Sequence, residues 1–312
     1  KELNKGAFIN CLKLIRVILP DSLKIIGESA FNRCGLLNEV SLGNETTTIA
    51  PMAFYGCQKL KEILLPDSLK YIGDMAFYQC TALKQIKLPS DIISLGNHAF
   101  TLSGLRKAIV ACTPKHYGMD VFSKCKKLKI LEFSEGVFHI GDKLAFQCEN
   151  LTYVTIPDSV KTIGRHSFEG TKYLQNLPVP KMAGSILLDG SDLSGEVIIP
   201  DTVTAIAGGA FYENKTLTSI TLPDTLTDIG PGAFCSCTGI TEIILPPCIS
   251  ELKDSVFAYC TSLRYVKGGA IKAIHKQAFM DCSSLVEIPD LGKCSFIEDK
   301  AFYGCVQLKE PG

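Results

Sequence analysis

Apolar residues recur along the chain in a fixed order, and one phenylalanine marks each recurrence. Its positions are separated by 22 to 24 residues, apart from one interval of 43 residues that is close to two periods. We place Leu188 in the missing marker position, which makes fourteen units when the incomplete ones at the ends are counted. A period of roughly 20–50 residues is typical of stacked repeat architectures. The markers are Phe8, Phe31, Phe54, Phe77, Phe100, Phe122, Phe146, Phe168, Phe211, Phe234, Phe257, Phe279 and Phe302.

Each unit places apolar and turn-forming residues at the same offsets, and residues 53–75 show the pattern A-F-x-x-C-x-x-L-x-x-I-x-L-P-x-S-L-x-x-I-G. The alternating Ile63 and Leu65 predict a strand with one buried face, which Pro66 ends because proline donates no ladder hydrogen bond. Leu69 and Ile72 return the chain across the core, and we expect Gly73 to permit a turn with positive φ.

One unit is too short to close a core, but stacked copies close one when like strands pair in parallel about 4.8 Å apart. The pattern therefore predicts a right-handed solenoid with one parallel β-sheet and irregular return segments. It has about 14 coils of about 23 residues, since the repeat fills the chain.

The repeat unit resembles the leucine-rich repeats of the BspA-like type, also called the Treponema pallidum type, over roughly residues 6–308. The resemblance implies a leucine-rich-repeat solenoid. It also implies a bacterial surface or secreted protein, because most proteins of this kind are of that class and some take part in adhesion to host matrix proteins or other cells. Function is the weaker implication, because a fold alone does not determine it.

The repeats form one expected array over residues 1–312, with degenerate repeats near 101–121 and 178–200. The stretch 178–195 departs furthest from the pattern and is rich in proline and glycine. It is interpreted either as a kink or bulged loop of the solenoid, or as a binding loop, because long irregular loops often carry function. Lys1 already lies within the pattern, which favours an excised piece or a processed form.

Nine of the fourteen cysteines lie three residues after a marker phenylalanine and should form one row in the stack. We favour buried free thiols over disulfides, because side chains in this row would point the same way, which is poor geometry for a bridge. Ser103 and Asn214 occupy the same position in other units. The nine are Cys11, Cys34, Cys57, Cys80, Cys125, Cys237, Cys260, Cys282 and Cys305, whereas Cys112, Cys148, Cys235, Cys248 and Cys294 share no spacing.

Charge and motifs exclude several classes of function. Lys+Arg and Asp+Glu both number 32, so the basic excess of a typical nucleic-acid binder is missing. No apolar run approaches the roughly 18 residues of a membrane span. We find no H-E-x-x-H, G-x-S-x-G or P-loop motif, and so expect no enzyme activity, cofactor or metal site. Cys112 and His116 lack a third orienting group, and Asp189, Asp192 and Glu196 do not fit a calcium loop.

Residues eight and ten after the marker should point outward from the strands, and many of them are apolar. This pattern indicates either the β-propensity of a half-exposed sheet or a binding face with tyrosine anchors. The candidate binding face consists of Ile18, Leu64, Ile109, Ile130, Tyr153, Ile198, Ile244 and Tyr265.

The leading functional hypothesis is a secreted or cell-surface module that mediates protein–protein or host-matrix interaction of the adhesion type. The alternative is a structural spacer or stalk of a larger surface protein. The expected partner is a protein, with host extracellular matrix as one candidate, or a glycan. We expect no nucleic-acid partner, no membrane span in this chain and a monomeric state.

Overall fold

The fold is a parallel β-solenoid, as the repeat predicts, and it has about 13 turns of ~23 residues where the sequence indicates about 14 coils. The computed structural model describes residues 1–309. They divide into two compact units. The first comprises Lys1–Val160 with Ser167–Asn176, and the second comprises Lys161–His166 with the chain from Leu177 onward.

The first unit is built from short strands and one short helix. They are β1 Glu2–Leu3, β2 Arg16–Ile18, β3 Ile25–Ile26, β4 Glu39–Ser41, β5 Thr48–Ile49, β6 Tyr71–Ile72, β7 Gln85–Leu88, β8 Ser94–Leu95, β9 Lys107–Val110, β10 His116–Tyr117, β11 Ile130–Phe133, β12 His139–Ile140, β13 Tyr153–Thr155 and α1 Lys172–Asn176.

The second unit continues the same construction. Its strands are β14 Thr162–Ile163, β15 Lys181–Ala183, β16 Ile186–Asp189, β17 Gly195–Ile198, β18 Ala205–Ile206, β19 Leu217–Thr221, β20 Asp228–Ile229, β21 Glu242–Leu245, β22 Glu251–Leu252, β23 Tyr265–Gly268, β24 Ala273–Ile274 and β25 Phe296–Ile297.

Parallel strands form two rows in each unit, where the sequence predicts one sheet. The first row contains the expected Ile-x-Leu strands, such as β7, β9, β11 and β13 in the first unit. The second row contains two-residue strands from the return segment, such as β1, β3, β5, β6, β8 and β10. This second row forms because stacked return segments are also extended, and Ile49 pairs in register with Ile26 and Ile72. Two residues are too few to show alternation in the sequence.

The marker phenylalanines form the centre of the core, apart from the half-buried Phe8, Phe146 and Phe302. The Phe54 ring stacks on those of Phe31 and Phe77 with centroid distances of 5.2 Å, and all three are fully buried. In the second unit the Phe234 and Phe257 rings stack at 5.6 Å. These offset-stacked rings add aromatic contact energy to their burial and link each coil to the next.

The glycine after the return strand is required for close packing, and the positive φ predicted at Gly73 is wrong. A Cβ atom on Gly73 would lie 2.4 Å from the nitrogen of Pro51, on the preceding coil. The left-handed conformation instead occurs two residues before and two residues after the marker, at Met75 (φ 54°) and Gln79 (φ 57°) around Phe77. Glycine therefore recurs here because the coils approach closely.

The degenerate stretch has a different register from the predicted one. Leu187 pairs with Ile206, and the Gly190 nitrogen donates to the Ala210 carbonyl at 2.8 Å, as marker nitrogens do elsewhere. Gly190 therefore occupies the marker position, and the placement of Leu188 there is wrong. A Cβ at Gly190 would lie 2.3 Å from the Phe211 ring. The segment before it folds into an antiparallel hairpin of β15 and β16.

Candidate binding face

Alternation along the first row of strands determines which side chains face outward. In β7 the side chains of Ile86 and Leu88 are buried, whereas Gln85 and Lys87 are exposed. Strand β21 has the same alternation, with Ile244 on its exposed side. The outward surface of these strands is the candidate binding face, because it presents one line of side chains from each coil.

Five of the predicted face residues are exposed and three are half-buried. Leu64 is 86% exposed and Tyr153 is 56% exposed, which are large values for apolar and aromatic side chains. The exposed residues are Ile18, Leu64, Tyr153, Ile198 and Ile244. The half-buried residues are Ile109, Ile130 and Tyr265.

Strand register brings some of these residues together and separates others. Ile130 lies directly opposite Tyr153, and Ile109 lies on the neighbouring strand β9. Ile109 lies opposite Glu132, so the apolar pair of the first unit consists of Ile130 and Tyr153. Elsewhere polar side chains interrupt the line, since Ser41 lies opposite Ile18. In the second unit Thr221 lies opposite Ile198 and Lys267 opposite Ile244.

Ion pairs between neighbouring coils neutralise much of the charge on this face. Lys107 Nζ lies 2.9 Å from Glu132 Oε2, and Arg16 Nε lies 3.1 Å from Glu39 Oε1. In the second unit Lys267 Nζ lies 2.8 Å from Glu242 Oε1, and this hydrogen bond raises the pKa of Lys267. Exposed pairs of this kind contribute little stability, but they leave the surface between them locally neutral.

The two predicted tyrosine anchors differ in their surroundings. The half-buried Tyr265 ring is contacted by Lys267 Nζ, 5.1 Å from its centroid, and by Arg264 Cζ at 5.6 Å. These cation–π contacts occupy part of the ring surface. Tyr153 is the more accessible of the two, with more than half of its surface open to solvent.

A groove opens beside Leu64, where the first row of strands is interrupted. Residues 60–66 have a single bridge, between Glu62 and Glu39, in place of a strand. The groove is lined by Glu39, Val40, Ser41, Leu42, Asn44, Glu62, Ile63, Leu64, Leu65, Pro66, Asp67 and Ser68. Sequence reasoning missed it, since the local pattern of residues 53–75 is the most regular in the chain.

The predicted row of cysteines is observed, and its thiols donate hydrogen bonds. Cys57 Sγ donates to the Phe31 carbonyl at 3.1 Å, and Cys80 and Cys260 donate to the carbonyls of Phe54 and Phe234 in the same way. Cys148 also belongs to this row, contrary to the sequence analysis, because Ala145 and not Phe146 occupies the marker position of its coil. The Ala145 nitrogen donates to the Ser167 carbonyl at 2.8 Å, so the placement of Phe146 there is wrong. The buried members are Cys34, Cys57, Cys80, Cys125, Cys148, Cys237, Cys260 and Cys282, whereas Cys11 and Cys305 are half-buried.

Burial and hydrogen bonding explain which residues this cysteine position accepts. Desolvation raises the pKa of Cys80 and of Cys237 to about 12, so the thiols keep their protons and act as donors. Asn214 replaces cysteine with a stronger donor, and its Nδ2 donates to the carbonyls of Gly190 at 3.1 Å and Leu193 at 2.7 Å.

The surroundings of Cys112 disfavour catalysis, and those of Asp189 and Asp192 disfavour calcium binding. Cys112 is buried, and desolvation raises its pKa to about 12, which disfavours the thiolate that a nucleophile needs. Lys181 Nζ lies 3.0 Å from Asp189 and 2.7 Å from Asp192, so these two carboxylates already have a cationic partner.

The family model described as BspA type leucine rich repeat region matches this chain in six copies, over residues 1–129, 113–188 and 189–309. The chain therefore belongs to the BspA-type leucine-rich-repeat family. A family of this kind indicates a protein-binding role. Within residues 1–309, no helix has the length and apolar character needed to cross a lipid bilayer.

Solved structures of bacterial leucine-rich-repeat proteins are similar to this chain. A leucine-rich repeat protein from Bacteroides ovatus is 25% identical with a TM-score of 0.51, covering 92% of this chain and 81% of that one. A leucine rich cell surface protein from Faecalibacterium prausnitzii is 23% identical with a TM-score of 0.40, covering 99% and 82%. The pneumococcal vaccine antigen PcpA is 17% identical with a TM-score of 0.38, covering 98% and 85%. No curated protein matches this chain.

Proposed function

We propose that the chain is a secreted or cell-surface module that binds another protein through the candidate binding face. The observation that carries this proposal is the repeated exposure of large apolar side chains on that face, with Leu64 86% exposed. Exposed apolar and aromatic residues on a regular surface are typical of protein interfaces, where a few of them supply most of the binding energy.

Two places on the first unit fit a protein partner best. The apolar pair of Ile130 and Tyr153 offers a flat contact area, and the groove beside Leu64 offers a concave one. The adjacent ion pairs neutralise charge, which lowers the cost of removing water from the surface. An adhesion role toward host extracellular matrix is the more specific form of this proposal, and a glycan is the alternative ligand.

A spacer role is the second candidate, and the polar interruptions of the face favour it. Ser41, Lys87 and Thr221 break the apolar line at intervals, so its exposed residues form separate patches. A spacer needs only a soluble outer surface and a stable stack of coils, and isolated exposed apolar residues are normal on such a surface.

Surface plasmon resonance against a panel of purified matrix proteins and glycans tests the proposal. The face variant combines Leu64→Ser with Tyr153→Ala, and the matched control is Lys24→Ala, an exposed side chain beside the second row of strands. We expect a protein of the panel to bind the wild type and the control, and to bind the face variant at least tenfold more weakly.

Two outcomes oppose the proposal. If the face variant bound as tightly as the wild type, the partner would have to contact another surface of the protein. A complete absence of binding to the panel, by a chain whose circular dichroism is that of a folded β-protein, would favour the spacer.

A further inference from the structure

Three potential metal ligands converge on successive coils of the second unit. His275 and Glu298 directly follow β24 and β25, and Asp254 lies two residues after β22. Leu252 pairs with Ile274, which pairs with Ile297, so the three coils are in register at this point. Residues far apart in the sequence are therefore neighbours on one surface.

We propose that Asp254, His275 and Glu298 form a binding site for a divalent transition metal ion such as Zn²⁺. One ligand atom from each residue lies within 4.8 Å of the other two. His275 Nδ1 lies 3.4 Å from Glu298 Oε1. Ligand atoms bound tetrahedrally at about 2.0–2.1 Å from Zn²⁺ lie about 3.4 Å apart, so only small side-chain rotations are needed.

The repeat itself changes where these ligands occur. In most coils the residue after the second-row strand is glycine, and a Cβ atom at Gly230 would lie 2.3 Å from the nitrogen of Gly208. In the next three coils this position holds Lys253, His275 and Glu298. The chain has therefore exchanged a packing residue for side chains with polar ends at this one place.

The histidine is held in position by its neighbours. Its side chain is 24% exposed, and its ring contacts the Phe296 ring edge-on at a centroid distance of 5.4 Å. Glu251 Oε2 lies 3.6 Å from Nε2, while Glu298 lies near Nδ1. With the metal at Nδ1, beside the Glu298 ligand, Nε2 already faces the carboxylate of Glu251, and a carboxylate is a usual outer partner of a metal-bound histidine.

The charges around the cluster favour a cation. Three carboxylates, those of Glu251, Asp254 and Glu298, surround one imidazole, and Lys253 Nζ is already paired with Asp228 at 2.5 Å. The Lys276 backbone nitrogen donates to Glu298 Oε2 at 3.0 Å, which leaves Oε1 for a metal. An imidazole with carboxylates suits zinc and its neighbours in the first transition row, whereas Ca²⁺ and Mg²⁺ prefer oxygen ligands alone.

Isothermal titration calorimetry of Zn²⁺ into the chelator-treated protein at pH 7.5 tests the site. The background carries Cys248→Ser and Cys294→Ser, so that the exposed thiol and the half-buried thiol nearest in sequence to the cluster do not bind the metal. We expect one Zn²⁺ per chain in the background protein. We expect at least tenfold weaker binding in His275→Ala, in Asp254→Asn and in Glu298→Gln, because each removes one direct ligand.

Matched controls separate loss of the site from a general surface effect. His116→Ala and Glu196→Gln remove an exposed imidazole and an exposed carboxylate elsewhere, and both should bind Zn²⁺ as the background does. Zn²⁺ should also raise the midpoint of thermal unfolding in the background but not in Glu298→Gln, since a ligand that binds only the folded state stabilises it. Ligand variants that bind Zn²⁺ as tightly as the background, or a background that binds none at millimolar Zn²⁺, would overturn the proposal.

Discussion

The ring of Phe54 lies between two other phenylalanine rings and has no exposed surface. The same position is filled in the coils above and below, so each ring supports two neighbours. Truncation of one ring removes its burial, leaves a cavity and ends two stacking contacts at once. At the scale of single residues, this position therefore contributes strongly to stability.

We expect Phe54→Ala to lower the free energy of unfolding by about 3–5 kcal/mol, as cavity formation does in other cores. Phe138→Ala is the matched control, because the Phe138 side chain is 56% exposed and should lose under about 0.5 kcal/mol. Urea denaturation followed by circular dichroism measures both. A similar loss in the two variants would show that burial of the marker is not what stabilises the stack.

The row of cysteines leads to a chemical prediction. Buried thiols with raised pKa values, such as Cys80 and Cys237, should resist alkylation at pH 8 in the folded protein, whereas exposed Cys248 should react quickly. After denaturation without reductant, mass spectrometry should find all fourteen cysteines alkylated. Bridged peptides from neighbouring coils would contradict the interpretation as free thiols.

At the scale of the coil, the distance between adjacent return segments depends on the missing side chain of glycine. Gly73 packs against the backbone around Pro51. A left-handed conformation is not the reason for the glycine, since that conformation falls on Met75 and other non-glycine residues.

Gly73→Ala should therefore destabilise the protein by more than about 2 kcal/mol, because backbone atoms cannot move aside easily. Gly35→Ala is the control, since a Cβ atom there meets nothing within 4 Å and φ is not positive. That variant should be neutral or slightly stabilising. Thermal unfolding of the two proteins under identical conditions measures the difference, and equal midpoints would refute the close-packing explanation.

The coil is also the level at which the fold could be predicted from the sequence. The spacing of phenylalanines such as Phe54 and Phe77 predicts the parallel stack, and alternation predicts the outward side of Leu64 and Tyr153. The register of the irregular coils depends on contacts between coils. The register at Gly190 depends on one hydrogen bond and a close contact with Phe211, which no local pattern shows.

The metal-ligand cluster illustrates the same limit. Asp254, His275 and Glu298 have unequal spacings in the sequence and resemble no known ligand motif. Only the pairing of β22, β24 and β25 brings them together. The loss of glycine after three successive second-row strands is the signal that could have indicated them.

At the scale of the whole molecule, the candidate binding face is a series of patches whose function depends on a partner. We expect Tyr153→Ala and Tyr265→Ala each to weaken partner binding by about 1–2 kcal/mol, because tyrosine side chains lose little entropy when they are fixed in an interface. Their thermal transitions should stay near that of the wild type. The affinities of both variants for the partner test this prediction. Wild-type affinities in both would remove the main support for partner binding at the candidate binding face.

The two rows of strands have a mechanical consequence. Each coil is joined to the next by hydrogen bonds that run along the direction of stacking, so tension in that direction pulls these bonds apart one coil at a time. A coil of ~23 residues releases about 75–80 Å of extended chain when it detaches. Stretched between a tip and a surface, either unit should therefore lengthen in a train of small, evenly spaced steps, and so absorb work gradually under load.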